Sequence, residues 1–193
     1  MQKVLISIIF ILGFSVNIFS QVRERATIEL TPKIGYSNFK YSVSGYPSLA
    51  LKSVNFGMTG DYYLNEAWSL RTGILYQKMG GQTFSSRYEL DYLNIPLNAN
   101  WHFGSTRKWN LNFGLLTGFK ISNADEQNIF GIKSKETQTA INGGIGYKIE
   151  INNQIGILLD YQFLVGLTNI DQDQIYSVRN KGGNINVGLV IKL

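Results

Sequence analysis

The sequence predicts an all-β protein, an eight-stranded antiparallel up-and-down transmembrane β-barrel. Long runs of apolar/polar alternation recur along its 193 residues, the segments between them alternate long and short, and the three tryptophans gather at the short ones. The clearest run is Tyr88–Phe103, where Leu93, Ile95, Leu97, Ala99, Trp101 and Phe103 interleave with Asn94, Pro96, Asn98, Asn100 and His102. Strand side chains point to opposite faces with period two, so this run has one oily face and one amide-rich face. It is longer than the usual soluble strand and suits a tilted bilayer crossing, which takes roughly 9–11 residues.

The chain starts with Met1-Gln2-Lys3, the apolar run Val4–Phe14, and then Phe19-Ser20-Gln21. A positive start, an apolar centre and a small residue before a polar break form the pattern of a secretory signal peptide, residues 1–20, cleaved after Ser20. The competing reading, an uncleaved membrane helix, is opposed by the segment's shortness. Residues 21–193 are then the barrel domain.

Strand one alternates Ala26, Ile28, Leu30, Pro32, Ile34 and Tyr36 with Thr27, Glu29, Thr31, Lys33, Gly35 and Ser37, and a loop around Ser42–Leu51 follows. Strand two, Lys52–Leu64, sets Val54, Phe56, Met58 and Tyr62 against Asn55, Gly57, Thr59 and Asp61. The turn Asn65–Ala67 leads into strand three, Trp68–Gln77, where Leu70, Ile74 and Tyr76 oppose Arg71, Gly73 and Gln77 and Leu75 falls out of pattern. The loop Lys78–Ser86 precedes strand four, Tyr88–Phe103, and the turn Gly104–Lys108 precedes strand five, Trp109–Ile121. After the polar segment Ser122–Glu136 come strand six, Thr137–Glu150, the turn Ile151–Asn153 and strand seven, Gln154–Thr168. The loop Asn169–Asn180 leads to a last strand with Ile185, Val187, Leu189, Ile191 and Leu193 on one face. Ten strands remain open if a long loop hides a hairpin.

Alternating long and short connections put both termini on one side of a barrel, with three short turns there and four longer loops opposite. Trp68, Trp101 and Trp109 lie beside the short turns, as an aromatic girdle at the periplasmic interface requires. A soluble barrel also alternates, but its outer face would be rich in Lys and Glu. Here the second face is mostly Gly, Asn, Thr and Gln with a few charges, which suits a narrow interior. Pro32 and Pro96 each remove a ladder donor, so a bulge or a frayed register is expected at Pro96.

The chain has no cysteine, which excludes disulfides and cysteine lipidation. Its net charge of +5 is scattered, with no basic run and no stacking motif, so nucleic acid is not an expected partner. No phosphate loop is read at Gly143-Gly144 or Gly182-Gly183, because no helix follows either pair. Asp171 and Asp173 have calcium-ligand spacing without the remaining ligands, and they read as solvated loop acids. The lone His102 sits beside the Gly104 turn and reads as an interior hydrogen-bonding residue. Asp61, Asp160, Arg71 and Lys148 fall on the inner face and are expected to form a buried network, because an unpaired charge there is costly. No cofactor, metal or catalytic site is expected.

Three segments carry a family resemblance: Gly73-Ile74-Leu75-Tyr76 with Gly80-Gly81, Tyr92-Leu93-Asn94-Ile95-Pro96-Leu97, and Gly166-Leu167-Thr168-Asn169-Ile170. They resemble the PorT-like outer-membrane β-barrels of Bacteroidetes over nearly the whole mature chain. Asn94, where an acid is common, and Leu193, where an aromatic is common, depart from that pattern. The resemblance implies a small exported barrel in a Gram-negative outer membrane, inserted by the outer-membrane assembly machinery and surrounded by outer-membrane lipids. It implies a non-enzymatic structural, interaction or secretion-associated role, with envelope or secretion proteins as partners. A narrow small-solute or ion channel is the first alternative and a rim-located lipid-modifying enzyme the second.

Overall fold

The computed structural model describes residues 25–43, 48–82, 87–122 and 133–193. The signal peptide read at 1–20 and most of the segment between strands five and six lie outside the described residues. The strands are β1 (Ile28–Val43), β2 (Leu49–Tyr63), β3 (Trp68–Gln82), β4 (Arg87–Phe103), β5 (Trp109–Lys120), β6 (Thr137–Glu150), β7 (Ile155–Gly166) and β8 (Val178–Lys192). Each pairs antiparallel with its neighbour, and β1 pairs with β8 from Glu29↔Lys192 to Val43↔Val178, so the sheet closes as a ring of eight. Closure leaves no sheet edge for a ninth or tenth strand.

The wall is inverted relative to a soluble barrel. Leu97 on β4 is 58 % exposed while its neighbour Asn98 is 1 % exposed. The same contrast repeats around the ring: Val54, Phe56, Met58, Phe113, Leu115, Ile145, Phe163 and Val187 point outward, and Asn55, Thr59, Asn112, Asn142 and Asn186 point inward. An apolar exterior on every strand is stable only in lipid. At one rim Trp68 and Trp101 stack at 6.3 Å, Trp101 and Phe103 at 5.0 Å, Phe103 and Trp109 at 6.3 Å, and Trp109 meets Tyr147 at 4.8 Å. These rings form an aromatic arc beside the short turns.

Two of those turns are closed by an asparagine. The Asn65 Oδ1 accepts from the Ala67 and Trp68 N–H groups, both at 2.9 Å, and the Asn152 Oδ1 accepts from Gln154 and Ile155 at 2.9 and 2.8 Å. An Asn65→Ala change leaves two amides to water and costs about 1 kcal/mol, read as a lower midpoint in urea unfolding. The Gly104–Lys108 turn uses left-handed backbone at Gly104 (φ 82°) and Arg107 (φ 53°).

The bulge expected at Pro96 is absent. Opposite β3 the pairs Thr72↔Leu97 and Leu75↔Asn94 flank a short gap in the ladder, and the register is the same on both sides. Pro32 acts likewise toward β8, between Leu30↔Ile191 and Lys33↔Gly188. Each proline faces one neighbour with its missing N–H, and the bonds on either side hold the frame. The register shift falls instead between Ala50 and Asn55 of β2 against β3, where sequence alternation shows no signal.

Strands also run further than alternation suggests. Lys78–Gln82, read as loop, continues β3 against Arg87–Asp91, and β8 begins at Val178 inside the segment read as loop. The reason lies in the lumen. Toward the loop side the inner face turns apolar, with Phe39, Met79, Leu90, Tyr92, Leu116, Ala140, Leu164, Ile170 and Val178 buried in one cluster. The outward positions there are polar, among them Asn38, Lys40, Lys78 and Glu89, so the alternation reverses its phase relative to the rest of the strand and the signal of a single oily face is lost.

Candidate functional site: an occluded lumen

The inward side chains fall into three levels between the short turns and the long loops. At the short-turn end, Lys148 of β6 donates to the Glu29 carboxylate of β1 and, at 3.2 Å, to the Tyr63 hydroxyl, which itself donates to Glu29 at 3.0 Å. The Tyr63 ring stacks on His102 at 4.7 Å. The Ser69 hydroxyl donates to Asp61 at 2.9 Å and lies 2.9 Å from the His102 Nε2, so that nitrogen is the donor of the pair. Asp61 also accepts from Asn100 at 2.8 Å and from Arg71, whose Nε and Nη2 reach the carboxylate at 3.0–3.1 Å.

In the middle, Lys33 of β1 meets Asp160 of β7 at 3.0 Å. Amide pairs fill the rest: Asn55 donates to Asn186 at 2.6 Å, Asn186 to Asn184 at 2.8 Å, Asn98 to Asn112 at 2.9 Å and Asn94 to Gln77 at 2.7 Å. Between them lies a void of about 20 Å³ lined by Asn55, Thr59, Arg71, Asn98 and Asn142 among others, room for about one water. Above this level the apolar cluster closes the lumen, with Tyr41 and Tyr88 rings 5.5 Å apart at its edge.

The expected network of Asp61, Asp160, Arg71 and Lys148 is present, but its members belong to separate ion pairs that recruit Glu29 and Lys33. The inner-face position of Glu29 and Lys33 was legible; their partners, on distant strands, required the register. Asp171 corrects the expectation of a solvated loop acid. It is buried and accepts from the backbone N–H groups of Asp173 at 3.0 Å and Tyr176 at 2.8 Å, and it bridges to Ser134. Asp173 is exposed. The Asp171 carboxylate therefore shapes the loop that tucks Ile170 into the apolar plug.

Ser69, His102 and Asp61 invite comparison with a hydrolytic triad, but the order of bonds is wrong. A triad runs from carboxylate to imidazole to hydroxyl, whereas here the hydroxyl sits between the other two. Ser69 and His102 are each 1 % exposed, so no substrate reaches them.

Residues 6–192 match the family described as "Outer membrane protein beta-barrel domain". No curated protein matches the chain. Among solved structures, OprG of Pseudomonas aeruginosa superposes with a TM-score of 0.61 at 10 % identity, covering 89 % of this chain and 98 % of OprG. Neisserial surface protein A gives 0.52 at 12 % identity over 87 % of this chain and 97 % of its own. The N-terminal barrel of Pseudomonas aeruginosa OprF gives 0.50 at 13 % identity over 89 % and 100 %. At such identities the likeness is one of fold.

Proposed function

Because the chain belongs to the family of outer membrane protein β-barrel domains, we propose that it is a non-conducting, non-enzymatic barrel of that membrane, with a structural, interaction or secretion-associated role. The observation that carries this reading is the filled lumen. Ion pairs, amide ladders and an apolar plug occupy successive levels, and the void among the mid-level amides holds about one water. Contacts with other molecules then fall to the outer loops and the periplasmic face.

Within the family we assign the chain to the PorT-like barrels of Bacteroidetes, on the Tyr92–Leu97 segment and the two flanking ones. Export by the signal peptide at 1–20, insertion by the assembly machinery and contact with envelope or secretion proteins belong to the same proposal.

Purified protein in planar bilayers tests the central point. Wild type is expected to give no steady conductance under a voltage ramp. Large, steady conductance that falls on changing Arg71 or Asp160 would overturn the closed-lumen reading in favour of a polar channel.

A further inference from the structure

On the outward side, the upper ends of β1, β2, β7 and β8 frame a groove of about 730 Å³. Tyr36, Tyr161 and Phe163 wall it, and all three are exposed. Gly183 forms the floor, with the Tyr161 hydroxyl 2.9 Å from the place a Cβ would take. Lys40, Lys52 and Lys181, also exposed, stand along the groove.

The three lysines form one array. Lys40 and Lys181 are direct partners across β1 and β8, and Lys52 pairs with Asn38 on the same face, one diagonal step from Lys40. Like charges facing each other across a sheet destabilise it. Among the described residues no carboxylate pairs with any of them, whereas on β3 and β4 Lys78 holds Glu89 at 2.7 Å and Asp91 at 3.6 Å. Among the described residues, the β1–β2–β8 side of the wall thus keeps cations without counterions.

Height assigns a counterion. Ile28, paired with Tyr62 in the first step of β1, marks the periplasmic end. From there to Lys40 the strand runs about 40 Å at ~3.4 Å per residue, and a tilt of ~40° makes this about 30 Å of height. That matches the hydrocarbon thickness of a bilayer. The ammonium groups therefore sit at the level of the outer headgroups, with the aromatic groove directly beneath them in the acyl region. We infer that the groove binds one phosphate-bearing lipid of the outer leaflet. An acyl chain lies over Gly183 between Tyr36, Tyr161 and Phe163, and the phosphate meets Lys40, Lys52 and Lys181.

Native mass spectrometry of the intact barrel in mild detergent, with diphosphoryl lipid A as the probe, tests this. Wild type and Lys78→Gln retain one lipid per barrel, and Lys40→Gln/Lys52→Gln/Lys181→Gln retains about tenfold less or lower still. Heat-modifiable gel mobility confirms that each variant is folded. Equal retention by the triple variant overturns the site, and so does equal affinity for the de-acylated phosphorylated disaccharide, which would make it a surface site for soluble anions. A second measurement needs no variant: lipid A protects Lys40, Lys52 and Lys181 of wild type from amine acylation but leaves Lys78 unchanged, and uniform labelling of all four overturns the proposal.

Discussion

An Arg71→Leu barrel loses about 3–5 kcal/mol of stability in lipid vesicles, and the loss comes from Asp61 more than from the missing arginine. Asp61 is 2 % exposed, and its carboxylate takes both Nε and Nη2 of the guanidinium. Removing that partner leaves a carboxylate in the wall with only Ser69 and Asn100 to solvate it. The companion variant Arg71→Leu/Asp61→Asn removes the charge as well, and it is expected to recover most of the loss. Urea titration followed by heat-modifiable gel mobility measures both. If single and double variants are equally destabilised, the ion pair is incidental and packing of the arginine stem explains the effect.

Leu97→Arg is the second large effect. Leu97 faces outward on β4, between Trp101 of the aromatic arc and the Glu89 and Asp91 carboxylates near the loop end, so it lies close to the bilayer midplane. An arginine on the lipid face at that depth costs about 2–4 kcal/mol. On a water-bathed wall the same change stays within about 0.5 kcal/mol. The measurement is unfolding in phosphatidylcholine vesicles beside Leu97→Ala. A near-zero arginine penalty relative to alanine would mean that water reaches the apolar face, and the membrane-spanning assignment would fall.

What the sequence reveals and hides follows from the range over which each signal acts. Strand identity and face are local properties, so the alternation around Leu97 and Asn98, or Ile145 and Gly146, suffices to orient side chains that the fold then places outside and inside. Turn positions are also local, since Asn65 and Asn152 act within three residues of themselves. Pairing is not local. Glu29 meets Lys148 and Lys33 meets Asp160 only after the sheet has closed. The apolar plug escapes for another reason: beside buried Met79 the alternation runs apolar inside and polar outside, the reverse of the strand below it, so Lys78–Gln82 reads as loop. Asp171 escapes because its partners are backbone amides of its own loop, which carry no residue-type signal.

The meeting of β1 with β8 has a consequence in time. Those strands pair Ile34 with Val187 and Phe39 with Gly182, residues from opposite ends of the chain, whereas every other pairing joins sequence neighbours. Neighbouring hairpins close short loops and form early; the β1–β8 seam has the largest loop-closure entropy and forms last. The ion pairs Glu29–Lys148 and Lys33–Asp160 both tie β1 to the C-terminal half, so they mature only at that final step. Weakening either one should therefore speed opening of the barrel while leaving the rate of early hairpin assembly unchanged. The chain behaves as a belt with its buckle at the two ends, and its lifetime in the membrane is governed by how rarely that buckle slips.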